Sequence, residues 1–299
     1  METIQKTSSI LILVAVALLA WNSVIARYAF VHQTIDPDSF ALIRLASGAV
    51  FLGLILVVRG RVSQISTLNL NHTLWSALAL AVYMVGFAYA HTKLDAGAGA
   101  LIQFAVVQIV MFWGAILLKE DVPRARVIGA VIAFVGLSVM LWPVGQAVPE
   151  SIPVLAMICA ATGWAIYSVL GREVKLAIAA TGTNFMLALP ISAVLILLLP
   201  HNMPMLLTAP GIWLAVLSGA ITSGLSYSFW YYVLPRTRTS IAGVAQLLIP
   251  AFTMTGGIII LDETLTIRFA VSFFIVAFGV ALSLGIVPVG RGHHSGQPR

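Results

Sequence analysis

The sequence predicts an all-α integral membrane protein whose ten transmembrane helices form two inverted repeats of five helices each. Three observations support this prediction. The chain has 299 residues, of which 60% are hydrophobic and 9% are charged, whereas soluble domains carry about 25% charged residues. The apolar residues are grouped in ten long runs. The pattern of the first half of the chain also recurs, without a gap, in the second half.

The ten apolar runs are each long enough to cross a bilayer. Each holds about 20 residues, the length that spans about 30 Å of hydrocarbon at about 1.5 Å per residue. Backbone polar groups in lipid must be paired within the segment, which favours helices over strands. We therefore expect helices over residues 8–26, 38–58, 73–92, 96–118, 125–142, 152–170, 180–199, 211–233, 239–261 and 266–287.

The repeat is seen at a constant offset of 143 positions, at which Gln103 falls on Gln246. Glu120 falls on Glu263 at the same offset. Apolar residues match easily by chance, so the polar matches carry the inference. Each repeat holds an odd number of helices, so the second enters the membrane from the opposite face. The predicted units are residues 1–147, residues 148–290 and a disordered cytoplasmic tail over residues 291–299.

The basic residues predict the orientation of the chain. Of the 16 Lys and Arg residues, twelve lie on the side of the N-terminus, three lie on the other side, and Arg44 lies within a helix. Because loops rich in Lys and Arg remain in the cytoplasm, we expect both termini in the cytoplasm of a bacterial-type inner membrane. The net charge of +6 is then an orientation signal, and we expect no nucleic-acid partner.

Inverted repeats are typical of secondary transporters, which bind a substrate near the midplane between the halves. No pattern indicates an enzyme: the sequence has no Gly-rich phosphate loop and no metal-ligand spacing. We expect no catalytic residue, no metal and no cofactor. The expected partners are a small-molecule substrate and the lipid bilayer, and the expected assembly is a monomer or a weak dimer. A membrane enzyme and a scaffold subunit are the alternatives.

Several motifs resemble those of one transporter family. They are Trp21-Asn22-Ser23, Phe40-Ala-Leu-Ile-Arg44-Leu, and Leu261-Asp-Glu-Thr-Leu-Thr266 with its degenerate copy Leu118-Lys-Glu-Asp-Val122. The chain resembles the EamA-type transporters of the drug/metabolite transporter superfamily over nearly its whole length. Asn22 and Asp262 stand where many members have Gly.

Within that superfamily the sequence is similar to the YddG-type amino-acid exporters. The resemblance implies export of amino acids, aromatic and other neutral ones, by alternating access. A drug or organic-cation exporter of the same superfamily is the alternative.

The candidates for substrate contact are polar and aromatic residues within the helices. A primary amide in hydrocarbon needs hydrogen-bond partners, and aromatic faces suit both flat rings and cations. The tryptophans are also candidates for interfacial anchors, and the glutamines for bonds between helices. The substrate-binding candidates are Trp21, Asn22, Tyr83, Phe87, Gln103, Trp164, Ser226, Trp230 and Gln246.

Arg44 is a candidate for a structural or gating role. Its long stem could carry the guanidinium to the outer interface, where Asp36, Asp38 or Asp95 could pair with it. The alternative is a clamp for a carboxylate at the outer vestibule, through bidentate pairing.

Three further residues are structural or gating candidates. Glu120 and Glu263 precede the fifth and the tenth helix, where a carboxylate is favourable at a helix N-terminus; a gating ion pair is the alternative. Pro250 shares a stripe of the ninth helix with Gln246.

The transport is expected to be uncoupled. No Asp or Glu lies in the interior of a predicted helix, whereas proton-coupled carriers use intramembrane carboxylates or histidines. Only His91 lies near a helix interior. We therefore expect facilitated diffusion down the substrate gradient.

Overall fold

The computed structural model describes residues 2–91, 94, 96–142, 150–198, 204–260 and 266–286. In these ranges nine helices are long and apolar enough to cross a membrane, and a tenth has 17 residues. The expected all-α membrane fold is thereby confirmed. The helices are α1 (Glu2–Val31), α2 (Pro37–Val58), α3 (Leu70–His91), α4 (Ala96–Leu117), α5 (Arg124–Leu141), α6 (Ser151–Leu170), α7 (Ala177–Leu198), α8 (Ala209–Arg236), α9 (Thr239–Ile260) and α10 (Ile267–Ser283).

Three helices begin at side-chain caps that the sequence supplies. Asp36, Thr208 and Thr266 each accept a hydrogen bond from the backbone N–H three residues later, at the start of α2, α8 and α10. Each cap satisfies one of the N–H groups that a helix start leaves unpaired. Proline occupies the first or second position of α2 and α8, where no N–H is needed.

The helices of the two repeats pack against each other, and the core lies between the repeats. α2 packs on α7 and α5 packs on α10. In each of these two pairs the offset of 143 residues relates one helix to the other, so each helix contacts its own counterpart. The offset also maps the α3–α6 contact onto α8–α1, and the α4–α6 contact onto α9–α1, and all four contacts occur. The expected repeat boundary at residues 147 and 148, and the expected tail, lie outside the described residues.

Glycines allow the paired helices to approach closely. A Cβ on Gly163 of α6 would lie 2.6 Å from the Ala79 carbonyl oxygen of α3. A Cβ on Gly129 of α5 would lie 2.5 Å from the Gly279 carbonyl oxygen of α10. Apolar helices gain little hydrophobic energy from one another in lipid, so close van der Waals packing of small residues holds them together.

Candidate functional site

Helix α9 is interrupted at Gln246 and Leu247, between α-helical segments Thr239–Ala245 and Leu248–Ile260. The cause is Pro250, which has no N–H to donate to the Gln246 carbonyl and whose ring would clash with that carbonyl in a regular helix. The carbonyl instead accepts from Ile249 N at 2.9 Å. The break lies within a membrane span, the type of discontinuity at which transporters bind substrates.

The side chain of Gln246 is fully buried beside this break. Its Oε1 accepts a hydrogen bond of 2.5 Å from the Trp164 indole, and its Nε2 donates to the Ala242 carbonyl at 3.3 Å. The indole N–H has a single hydrogen, so Gln246 alone satisfies it. This bond joins α6 to α9.

Trp164 and three aromatic side chains that contact its ring form the aromatic cluster: Tyr83, Trp164, Tyr167 and Tyr227. The centroid of the Trp164 ring lies 5.0 Å from those of Tyr83 and Tyr227, and 5.9 Å from that of Tyr167. All four residues are buried. The rings come from α3, α6 and α8, so both repeats contribute to the cluster.

A second group of buried side chains, the Arg44 cluster, lies against the aromatic cluster: Asn22, Arg44, Ser218 and Ser223. Arg44 Nε donates to Ser223 Oγ at 2.6 Å, and Arg44 Nη2 donates to the Tyr227 hydroxyl at 2.6 Å. Ser218 Oγ and Ser223 Oγ lie 2.8 Å and 3.2 Å from Asn22 Oδ1. Tyr227 therefore belongs to the aromatic cluster and also contacts the Arg44 cluster.

The Arg44 cluster depends on an unusual segment of α8. Residues Ser218–Leu225 form π-helical turns, a feature that is frequent at functional sites. Gly219 in this segment contacts α2 so closely that a Cβ on Gly48 of α2 would lie 2.8 Å from its carbonyl oxygen. The close approach brings Ser223 within reach of Arg44. The guanidinium is consequently buried in the bundle and does not lie beside Asp36, which instead accepts from Ser39 N and Leu206 N.

The two tryptophans that are candidates for substrate contact occupy symmetric positions in the repeats but have different environments. Trp164 is 4% exposed and lies in the aromatic cluster, whereas 47% of Trp21 is exposed on the surface of the bundle. Trp21 thus lies outside both clusters. Gln103, the symmetry mate of Gln246, is buried on α4 and forms no side-chain hydrogen bond to a described residue.

The remaining candidates pack around the clusters. Phe87 is partly buried, and its ring centroid lies 5.7 Å from that of Tyr83. Trp230 is fully buried and donates from its indole to Ser168 Oγ at 3.1 Å. Ser226 is buried between α8 and α1, where its hydroxyl lies 3.5 Å from the Leu18 carbonyl oxygen.

Another buried polar group was absent from the sequence-based candidates. Asn184 Nδ2 of α7 lies 3.5 Å from the Tyr231 hydroxyl, which donates to the Tyr167 carbonyl at 3.1 Å. Thr181 Oγ1 and Asn184 Oδ1 are buried and have no hydrogen-bond partner among the described residues. The signal for this group was the presence of Thr181, Thr183 and Asn184 within one apolar run.

An ion pair between side chains joins the two repeats at one end of the bundle. We call this the basic end, because α4, α6 and α8 end there in loops that carry basic residues. Glu120, in the loop between α4 and α5, accepts hydrogen bonds from Thr239 N at 2.7 Å and from Ser240 N at 3.3 Å. Arg172, after α6, donates to Glu120 Oε1 and to Thr239 Oγ1. Glu120 therefore caps the N-terminus of α9 and takes part in an ion pair between the repeats.

The ionisation of Glu120 follows from these contacts. Burial raises the pKa of its carboxyl, but the hydrogen bonds from Thr239 and Ser240 and the charge of Arg172 outweigh burial and leave the pKa below 4.5. The group is therefore a carboxylate at neutral pH. The expected mate of Glu120, Glu263, lies outside the described residues, as does the side chain of His91.

The repeats also meet at the opposite end of the bundle, through backbone groups, a threonine hydroxyl and the Asp36 carboxylate, which accepts from Leu206 N. Ile35 of the loop between α1 and α2 forms an antiparallel bridge with Leu207 of the loop between α7 and α8. Asp36 N donates to the Leu206 carbonyl at 2.9 Å, and Thr208 Oγ1 donates to the Thr34 carbonyl at 2.7 Å. The aromatic cluster and the Arg44 cluster thus lie between these two junctions.

The comparisons with known proteins agree with this architecture. A model described as the EamA-like transporter family matches residues 6–142 and again residues 151–285. An uncharacterized protein of Pseudomonas aeruginosa is 35% identical over 92% of this chain and 94% of its own length. An uncharacterized transporter of Archaeoglobus fulgidus is 24% identical over 90% of this chain and 96% of its own. The uncharacterized transporter YoaV of Bacillus subtilis is 23% identical over 91% of this chain and 94% of its own length.

A crystal structure of a protein that is 17% identical superposes with a TM-score of 0.77, over 93% of this chain and 97% of that one. This likeness shows a shared fold. The family model covers most of the chain, once in each repeat, and the Pseudomonas relative extends over nearly all of it. The expected resemblance is therefore confirmed at the level of the family, and the similarity to the YddG-type exporters stays a prediction. The chain is a multi-pass membrane protein that belongs to the EamA-like transporter family.

Proposed function

We propose that this transporter exports amino acids, aromatic and other neutral ones, across the bacterial inner membrane. The observation that carries the proposal is the contact between the two clusters at Tyr227. Aromatic faces that can hold a ring or an apolar side chain lie beside hydrogen-bonding groups that can hold an α-amino acid backbone. Aromatic pairs prefer offset or edge-to-face geometry, which a substrate ring can adopt against the ring of Tyr83 or that of Trp164.

The proposed mechanism is alternating access. Because the repeats are inverted, exchanging their conformations exchanges the end at which the site opens. The basic-end junction at Glu120 and the opposite-end junction at Ile35 are the contacts that must break alternately. Asn22, Gln103 and Gln246 are the proposed substrate ligands of this cycle, together with the aromatic cluster.

We further propose that transport is uncoupled. No carboxylate lies in the interior of a described helix, and the site consists of neutral hydrogen-bonding groups and one arginine. The substrate would move down its own gradient, so that the protein releases a metabolite that is in excess. The transporter would act as a monomer or a weak dimer. Both termini would lie in the cytoplasm, together with the basic end.

A drug or organic-cation exporter is the second candidate, because aromatic faces also attract cations. The positive charge of Arg44 beside Tyr227 disfavours a cationic substrate at this site. Amino acids therefore remain our proposal.

The experiment is transport into proteoliposomes with labelled phenylalanine, leucine and an organic dication. We expect the amino acids to equilibrate whether or not a pH gradient is imposed. Accumulation of an amino acid well above its external concentration under a pH gradient would exclude the uncoupled mechanism. Uptake of the dication without either amino acid would exclude the proposed substrate class.

The topology is tested with reporter fusions. A reporter at Gln297 is expected in the cytoplasm, and one in the loop over residues 144–151 on the other side of the membrane. The reverse result at Gln297 would exclude the proposed orientation.

A further inference from the structure

Arg44 carries a positive charge in the membrane interior that no carboxylate of a described residue balances. The residue is 4% exposed, and its partners are two hydroxyl oxygens and the face of the Tyr227 ring, 5.8 Å from the guanidinium carbon. No acidic side chain among the described residues forms an ion pair with it. A buried cation without a counter-charge is costly, and charged groups inside membrane proteins mark substrate or ion sites.

The directions of the hydrogen bonds show what this site offers. Arginine can only donate, so Ser223 Oγ accepts from Arg44 Nε and its own hydrogen is left for Asn22 Oδ1. Ser218 donates to the same oxygen. These two bonds orient the Asn22 amide, because its oxygen must face the two hydroxyls. The Asn22 Nδ2 group then points away from the serines.

Two donors of the cluster have no acceptor among the residues that the structure describes. Neither Arg44 Nη1 nor Asn22 Nδ2 forms a hydrogen bond to any residue that the structure describes. Tyr227 accepts from Arg44 Nη2, and its hydroxyl also contacts that of Tyr83. The Arg44 cluster therefore offers donors and a positive charge. This is the complement of a carboxylate, which is acceptor-only and binds arginine through two oxygens.

We propose that the Arg44 cluster binds the carboxylate of the substrate. Arg44 and Asn22 would supply the hydrogen bonds, and the apolar part of the substrate would extend past Tyr227 into the aromatic cluster. This inference rests on the proposed function and deepens it, since it makes a carboxylate the required group of the substrate. It also explains why a membrane span retains an arginine whose protein partners are neutral.

The test is a binding measurement on the purified full-length protein in detergent, which does not depend on transport. The probes are 3-phenylpropionate, which carries a ring and a carboxylate, and 2-phenylethylamine, which carries a ring and an ammonium. We expect the acid to bind and to raise the thermal stability of the protein, and the amine to bind far more weakly. Equal binding of the two probes, or no binding of the acid, would overturn the inference.

The matched variants are Arg44→Gln and Arg59→Gln, which remove one arginine each from the same helix. Arg59 is exposed at the C-terminal end of α2. We expect Arg44→Gln to weaken binding of the acid by about 10- to 100-fold, the range for losing a hydrogen bond to a charged group. Arg59→Gln should bind like the unmodified protein. Unchanged binding by Arg44→Gln would overturn the inference.

A second variant serves if Arg44→Gln does not fold. Asn22→Asp keeps the arginine and places a carboxylate in its cluster, where it would supply the negative charge proposed to come from the substrate and would replace the Nδ2 donor by an oxygen. We expect this variant to unfold at a higher temperature and to bind 3-phenylpropionate at least about 10-fold more weakly. Binding as tight as that of the unmodified protein would contradict the assignment.

The outcomes separate this inference from the proposed function. A protein that binds 3-phenylpropionate through Arg44 but transports no amino acid would support the carboxylate site and refute amino-acid export. A protein that transports phenylalanine equally well with Arg44→Gln would support export and refute the carboxylate site.

Discussion

The contacts of Glu120 predict how firmly the basic end stays closed. Its carboxylate accepts two backbone hydrogen bonds from the start of α9 and pairs with Arg172. Its side chain is 8% exposed. Losing a helix cap costs about 0.5–2 kcal/mol, and a partly exposed ion pair contributes up to about 1 kcal/mol. Because the terms are not additive, we expect Glu120→Ala to remove about 2 kcal/mol from the closed junction.

This loss should appear as opening of the basic end. The contacts join a loop of the first repeat to the start of α9 and to Arg172 of the second repeat, so in the proposed mechanism they break when that end opens. About 2 kcal/mol corresponds to about a 30-fold shift from closed to open, since about 1.4 kcal/mol is a factor of ten. Global unfolding is a separate quantity, and the thermal stability of the variant is measured alongside.

The assay is the reaction of an engineered cysteine with a membrane-impermeant maleimide in inside-out vesicles. Met111 of α4 is fully buried and packs against Gly243 of α9, so Met111→Cys reports opening between these helices. The native cysteine, Cys159, is exposed and is replaced by serine. We expect Glu120→Ala to raise the labelling rate up to about 30-fold, in proportion to the open fraction.

The control is Glu173→Ala, which removes a carboxylate at the same end that is 76% exposed and lies 4.0 Å from His72 Nε2. It should leave the labelling rate unchanged. If Glu120→Ala lowers the thermal stability but does not change the labelling rate, Glu120 is a cap only and the reasoning about the junction is wrong.

Three further predictions follow from other contacts. Gln246→Leu should lower stability by about 0.6–2 kcal/mol, because it leaves the Trp164 indole without an acceptor, and should abolish transport; full activity at normal stability would refute the role of Gln246. Pro250→Ala should raise thermal stability and slow transport, because the Gln246 carbonyl regains a helical donor; unchanged transport would show that the break is dispensable. The pKa of Glu120 lies below its ordinary 4.5. The difference in stability between the unmodified protein and Glu120→Gln should therefore be constant above about pH 5 and should shrink as the pH falls through the lowered pKa. A difference in stability that grows on acidification would contradict this prediction.

The sequence predicts the membrane spans well because the signals for them are local. Helix length and apolar composition meet the requirement of the bilayer residue by residue. The expected run over residues 38–58 corresponds to Pro37–Val58, and the run over residues 125–142 to Arg124–Leu141. The break in α9 could not be predicted from Pro250 alone, since Pro190 also lies inside an apolar run and α7 continues through it.

The rotation of each helix could not be predicted in the same way. In lipid the faces that pack on other helices and the faces that contact acyl chains are both apolar, so composition does not distinguish them. Trp21 and Trp164 occupy equivalent positions in the repeats, yet one lies on the surface and the other in the aromatic cluster.

The partners of the charged residues likewise depended on the tertiary structure. Arg44 is expected from sequence distance to reach nearby aspartates, but it contacts Ser223, 179 positions away. Glu120 precedes α5 in the chain and caps α9. The sequence alone determined the class of fold, the repeat and the family, because these depend on composition and periodicity. Only the tertiary structure decided which buried polar groups meet, because helices far apart in sequence supply them and each group bonds whatever partner the packing brings within about 3 Å.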